Sequence, residues 1–161
     1  MASLVAPAYG DTFTSIENLT GTRFDDAVIG DDAANRLAAR AGNDTLTGGG
    51  SADTFVFDTA PKALSNVDTI LDFLSGTDRL EFSRAVFDGL SGTGPLSIEQ
   101  FRSGPGVTAA GDADDRLLYD TTSGAVYYDA DGIGGVEAVQ VAVLGATTHP
   151  TLGHADILIS A

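Results

Sequence analysis

Between residues 17 and 53 an oxygen-bearing side chain recurs every nine residues, at Glu17, Asp26, Asn35, Asp44 and Asp53. Two places further on, an apolar residue recurs with the same spacing, at Leu19, Val28, Leu37, Leu46 and Phe55. Carboxylate and amide oxygens carried on turns are hard donors of the kind that hold calcium. The composition points the same way. Asp outnumbers Glu 19 to 4, and 20 of the 161 residues are Gly. Glu suits helices better than Asp. Asp bonds its own backbone and Gly accepts positive φ, so this balance favours tight turns.

The elements that must carry these oxygens follow from the spacing. Five apolar residues nine apart fit neither the 3.6 period of a helix nor a plain hairpin. They fit a six-residue turn followed by a three-residue strand with one inward side chain. Residues 21–56 divide without gaps into GTRFDDAVI, GDDAANRLA, ARAGNDTLT and GGGSADTFV, and residues 12–20, TFTSIENLT, keep the two marker places. Two blocks make one coil of a solenoid, eighteen residues per turn.

These blocks resemble the nonapeptide G-G-x-G-x-D-x-U-x of RTX (repeats-in-toxin) proteins, where U is a large apolar residue. The stretches GSADTFVFDT, NVDTILDFLSGTDRLEF, DDRLLYD and GAVYYDADG are similar to the region that follows the repeats in secreted RTX proteins, the serralysin metalloproteases among them. The likeness covers about residues 15–161. It implies an all-β fold: a short parallel β-roll over residues 12–57, capped by a C-terminal β-sandwich-like unit over residues 58–161 with one or two short helices. It implies Ca2+ as the cofactor, bound in the turns.

In such a roll, coils stack at about 4.8 Å, which sets Asp26 opposite Asp44 and Asn35 opposite Asp53. Two carboxylates about 5 Å apart repel by roughly 3 kcal/mol at an effective dielectric near 20, and a cation between them reverses that sign. Carried over by position, the first site takes carbonyls of Gly21, Arg23, Arg40 and Gly42 with Asp26 and Asp44. The second takes Gly30, Asp32, Gly49 and Ser51 with Asn35 and Asp53. The fourth block, opening on Gly48, Gly49 and Gly50, matches the nonapeptide best. With no fifth block above it, Asp72 is expected to close the last turns, with Asp68 and Asp78 as weaker candidates. The neutral Asn35 weakens the second site unless Asp31 or Asp32 substitutes. Other departures are Thr22, Phe24, Asp31, Ala33, Ala39 and Arg40 at places that favour Gly. Non-Gly residues there are expected to present their carbonyls from turns that avoid positive φ. One to three ions are expected, chiefly in the last two turns.

Beyond Phe57 the period of nine stops, and short apolar segments alternate with turn signals. Ser83–Gly89 reads as one or two helical turns, and Ser97 with Gln100 as a capping box for a short helix. Leu117–Asp120 and Ala125–Asp129 read as a hairpin, 137–144 as a buried strand, and 103–115 as a mobile loop. Asp129-Ala-Asp131-Gly departs from an EF-hand loop at Ile133 and Gln140, and reads as an Asx-type turn. The C-terminal Asp156-Ile-Leu-Ile-Ser-Ala is similar to the uncleaved type I secretion signal of RTX proteins, placed at about residues 150–161. The resemblance thus implies a bacterial protein secreted to the extracellular space through a type I exporter. It also implies upstream domains in a longer parent, of which this chain reads as a piece.

Several classes are excluded. The net charge of −15 argues against nucleic acid or an anionic membrane as partner. No apolar run is long enough to span a membrane. The first basic residue is Arg23, so no cationic leader precedes an apolar stretch. With no Cys, disulfide and thiolate chemistry fall away. The two histidines, His149 and His154, are not in H-E-x-x-H, no G-x-S-x-G occurs, and the chain reads as non-enzymatic. A competing class is an extracellular binding or adhesion module, with Tyr119, Tyr127 and Tyr128 as an aromatic platform for surfaces or carbohydrate.

Overall fold

The computed structural model describes residues 16–161 and the backbone strand at residues 3–5. Residues 12–15, where the repeat pattern is read to begin, lie outside the described residues. The strands, in chain order, are β1 (Ser3–Val5), β2 (Asn18–Thr20), β3 (Ala27–Ile29), β4 (Arg36–Ala38), β5 (Thr45–Thr47), β6 (Thr54–Phe57), β7 (Asp68–Ile70) and β8 (Arg79–Ser83). They continue with β9 (Gly94–Pro95), β10 (Phe101–Gly104), β11 (Leu117–Asp120), β12 (Ala125–Tyr128), β13 (Val139–Leu144) and β14 (Ile157–Ser160). Among the described residues the helical segments are two 3-10 turns, Ile98–Gln100 and His154–Asp156. The fold is all-β, with parallel strands in mixed sheets, as the repeats imply.

The period of nine becomes a pair of parallel ladders. From β2 to β8, alternate strands fall in alternate sheets, so each pairs with the next but one in the chain. Asn18 lies opposite Arg36, Ala27 opposite Thr45 and Arg36 opposite Thr54. The middle residue of each strand points inward: Val28, Leu37, Leu46 and Phe55 are all buried. Each such side chain contributes roughly 1.5–3 kcal/mol of burial.

Both ladders cross residues 57/58. Thr45 pairs with Thr69 and Thr54 with Arg79, so the ladders continue although the chain takes a longer path between partners. Strand β14 then stacks in parallel on β8, and β13 on β7. The strand orders are β1-β2-β4-β6-β8-β14-β9 and β10-β11-β12-β13-β7-β5-β3. One core fills the space between the sheets. Within it Phe57 stacks on Phe82 at 4.7 Å, Phe82 meets Phe87 edge-on at 5.0 Å, and Phe87 meets Tyr128 edge-on at 5.0 Å. That aromatic chain joins the repeats to the C-terminal hairpin of β11 and β12, paired antiparallel from Asp120↔Ala125.

Three local expectations change. Ser83–Gly89 forms two successive turns rather than a helix, the Val86 and Phe87 amides donating to the Ser83 carbonyl and the Leu90 amide to the Phe87 carbonyl. The Gly89 amide donates to the Tyr128 hydroxyl at 2.7 Å rather than to a carbonyl four residues back, so the chain does not continue as a helix. Ser97 makes no side-chain cap bond; instead Gln100 Nε2 donates to Ser97 Oγ at 3.2 Å, and the segment stays one 3-10 turn. The segment 103–115 is tied down at both ends. Gly104 belongs to β10, and the buried Asp115 carboxylate accepts from the Gly111 and Asp112 amides.

Candidate metal sites in the turns of the roll

Each repeat aspartate sits immediately before its strand, at the point where the turn must be joined to its neighbour. The resulting bonds form two columns. On one side the Asp26 amide donates to Asp44 Oδ1 at 2.7 Å, and the Asp44 amide to Asp68 Oδ1 at 3.1 Å. On the other the Asn35 amide donates to Asp53 Oδ1 at 2.8 Å, and the Asp53 amide to Asp78 Oδ1 at 3.0 Å. Asp26 therefore does face Asp44, and Asn35 faces Asp53. The columns also run one step further, to Asp68 and Asp78.

The turns divide into two kinds. In the first block, Asp26 Oδ2 accepts from the Thr22 amide and hydroxyl. In the second, Asn35 Oδ1 accepts from the Asp31 amide while Nδ2 donates to the Ile16 carbonyl. These turns are closed by their own side chains, and Thr22, Phe24, Asp31 and Ala33 keep negative φ. The third and fourth turns are left-handed at two places each: Arg40 (φ 77°) and Gly42 (φ 130°), then Gly49 (φ 97°) and Ser51 (φ 68°). Arg40 and Ser51 thus depart from the expectation that non-Gly residues here avoid positive φ. A left-handed non-Gly residue costs about 1–2 kcal/mol, and the stacked neighbours hold both in place. Ser51 Oγ donates to the Asp32 carbonyl at 2.8 Å, and Thr59 Oγ1 donates to the Arg40 carbonyl.

The close packing of these turns excludes side chains. A Cβ on Gly48 would lie 2.3 Å from Asp53 Oδ2, and one on Gly49 would lie 2.2 Å from the Asp31 carbonyl oxygen. Gly30 packs as tightly against the Gly48 carbonyl, and Gly50 meets Asp32 only at 3.3 Å. The turn bearing Gly21 and Arg23 and the turn bearing Arg40 open together on a groove also lined by Thr22, Ala41 and Thr59.

One atom stands out. Asp44 is 1% exposed, and its Oδ2 is buried with no N–H or hydroxyl donor; only the neighbouring Asp68 carboxyl lies close enough to share a proton with that of Asp44. In the first two turns a side-chain oxygen of Asp26 or Asn35 is held by the amide four residues back. At Asp44 that place falls to the left-handed Arg40, and no such bond forms. Leaving such a group unsatisfied costs about 1–3 kcal/mol, more when it is charged. Burial pushes the carboxyls of Asp44 and Asp53 above the usual carboxylate range. Burial and the adjacent Asp44 charge drive that of Asp68 up to about 8. A hard divalent cation fits this donor set, since it would satisfy the orphaned oxygen and offset the like charges. Among the described residues no three His, Asp or Glu side chains converge on one metal position. Main-chain carbonyls must therefore supply most of any ligand set.

Asp72 is placed differently from its neighbours. Its Oδ1 accepts from the Gly48 amide at 2.9 Å and its Oδ2 from the Gly49 amide at 2.8 Å. It closes the fourth turn through hydrogen bonds, while Asp68 and Asp78 take the places in the columns. Sequence reasoning passed over Asn43, Thr59 and Asn66. Asn66 Oδ1 accepts from the Gly42 amide at 3.1 Å, and Asn43 Oδ1 from the Val67 amide at 3.0 Å. No periodic signal marks Thr59 and Asn66, because they belong to the longer excursion at 58–67, and Asn43 acts only through its contact with that excursion.

Elsewhere, Asp129 Oδ1 accepts from the Asp131 and Gly132 amides, which makes an Asx-type turn. Tyr119 is fully buried with its hydroxyl on the Pro150 carbonyl, and Tyr128 is 4% exposed. An aromatic platform of Tyr119, Tyr127 and Tyr128 is therefore not present at the surface; two of its three rings are core.

Residues 29–59 match the family model of the RTX calcium-binding nonapeptide repeat, in four copies. RTX nonapeptide repeats bind Ca2+ and are structural rather than catalytic. The matched stretch contains the Asn35, Asp44 and Asp53 turns and ends at Thr59. No curated protein matches the chain. No helix among the described residues is long and apolar enough to cross a membrane.

Proposed function

We propose that this chain is a calcium-responsive folding module, with ions held in the turns along the two aspartate columns of the roll. The observation that carries the reading is Asp44 Oδ2, a buried carboxylate oxygen within the matched repeats that faces no N–H or hydroxyl donor, only the second carboxyl of Asp68. Asp44 and Asp68, with carbonyls of the Arg40–Gly42 turn, would hold one ion. The groove beside Gly21 and Arg23 offers Asp26 and further carbonyls. On the other side Asp53, Asp78 and carbonyls of the Gly30–Asp32 and Gly49–Ser51 turns are the candidates. The bound ion supplies the positive charge that the packed carboxylates lack.

The finer biology follows from that charge balance. Without the ion the columns repel themselves and loosen the coils, which suits an extended chain in a type I exporter. Outside the cell, each site filled to 100 times its Kd adds about 2.7 kcal/mol. Residues 150–161 would carry the secretion signal, and the ordered roll would aid folding of upstream domains. The chain itself is assigned no catalytic role. Calorimetric titration of the parent chain and Asp44→Ala with calcium, and with magnesium as control, tests the reading. The parent is expected to bind calcium selectively and the variant to lose the tightest site. Equal isotherms would overturn it. Export of a fusion lacking residues 150–161 would overturn the secretion assignment alone.

A further inference from the structure

The C-terminal strand is built into the roll as if it were one more coil. Asp156 immediately precedes β14, as Asp53 precedes β6 and Asp78 precedes β8. It is 5% exposed, and both of its oxygens are used. Oδ1 accepts from the Gly76 amide at 2.9 Å; Oδ2 accepts from Ser75 Oγ at 2.7 Å and from the Gly153 amide at 3.0 Å. Arg79 Nη1 lies 3.6 Å from Oδ1. Burial opposes the charge on this carboxyl, yet the bonds from Ser75, Gly153 and Gly76 pull it below the usual range.

Ser75 and Gly76 belong to the turn between β7 and β8, and the other side of that turn grips the fourth repeat. Asp72 takes the Gly48 and Gly49 amides, and Asp78 takes the Asp53 amide while its Oδ2 holds the Leu74 amide. The turn 71–78 is thus clamped by the matched repeat on one face and by Asp156 on the other. Strand β14 continues from the clamp in register with β8, Ile157 opposite Leu80 and Ile159 opposite Phe82. Both isoleucines are buried.

We propose that Asp156 is a latch, through which docking of the C-terminal strand and ordering of the last repeat turn form one linked equilibrium. The proposal rests on the calcium reading above. Coupling of this kind is reciprocal: whatever tightens the Gly48–Asp53 turn must tighten residues 153–160 by the same factor. Asp72 and Asp78 close the last repeat turn directly, and docking of residues 153–160 holds the far face of the 71–78 turn that carries them.

Two measurements on the full chain test it. Amide hydrogen exchange of residues 157–160 is compared in chelator and in calcium, and calcium affinity is compared between the parent, Asp156→Asn and Ser75→Ala. The parent is expected to gain protection at 157–160 on calcium addition. Asp156→Asn, which cannot accept at both oxygens, is expected to bind about tenfold more weakly, and Ser75→Ala to fall between. Should Asp156→Asn fail to fold, the parent's exchange and Ser75→Ala still decide. A parent that binds calcium with unchanged exchange at 157–160, or variants with the parent's affinity, would overturn the latch alone. A parent that binds no calcium would overturn the calcium reading and the latch with it.

Discussion

Asp44 and Asp68 are far apart in the chain and one strand apart in space, the amide of the first donating to Oδ1 of the second at 3.1 Å. Both are buried, and Asp44 keeps one oxygen without a donor. This pair is stable only if its charge is removed or balanced. Asp68→Asn should therefore act with opposite signs in two conditions. In chelator above about pH 8, where the Asp68 carboxyl is ionised, it relieves a repulsion of up to about 3 kcal/mol and raises the melting temperature. In calcium it removes a ligand and weakens binding. Thermal melts in both buffers check it; a variant less stable in chelator would contradict the electrostatic account.

The fourth turn offers a steric test. Gly49 holds φ 97°, and a Cβ there would meet the Asp31 carbonyl at 2.2 Å; at Gly50 the nearest contact is 3.3 Å. Gly49→Ala is expected to cost about 2 kcal/mol or more, from left-handed strain and the clash together. Gly50→Ala should cost well under half of that. Chemical denaturation of the two variants gives the comparison.

The core predicts how the molecule unfolds. Phe82 lies between Phe57 of the roll and Phe87, which leads to Tyr128 of the hairpin. Phe82→Ala should cost about 3–5 kcal/mol and lower one common transition. Far-UV signal from the strands and near-UV signal from the tyrosines should move together. Separate transitions would show that the roll and the C-terminal strands are independent.

Acid stability has a separate source. The Asp120 carboxyl is held down to about 2 by the Ser123 hydroxyl and by the Thr122 and Gly106 amides. Its folded value lies below the unfolded 3.8. Its contribution is therefore present above about pH 4 and lost as pH falls through about 2. Asp120→Asn should melt below the parent at pH 7 and converge with it near pH 2. A gap that persists at pH 2 would mean that the turn is held by packing rather than charge.

The coils were legible in the sequence because each block repeats one instruction: an acid or amide to tie the turn, then an apolar side chain two residues on to enter the core. Only the spacing hid its continuation. Asp68-Thr-Ile and Asp78-Arg-Leu carry the same tripeptide pattern as Asp44-Thr-Leu and Asp53-Thr-Phe. The excursion at 58–67 and the turn at 71–78 stretch the interval between paired strands beyond that of the repeats. A search for Asp-x-apolar without a fixed period would have placed both in the columns. The handedness of Arg40, the orphaned Asp44 oxygen and the reach of Asp156 were not legible. Each depends on which neighbour stacks where, and no local pattern encodes that.

The most direct measurement is a crystal structure grown in calcium, with anomalous differences collected to locate the ion. The account predicts a peak about 2.3–2.6 Å from Asp44 Oδ2, ringed by main-chain carbonyls of the neighbouring turns. An ordered fold with no peak at Asp44, or with the oxygen taken up by a water or a side-chain donor, would contradict it.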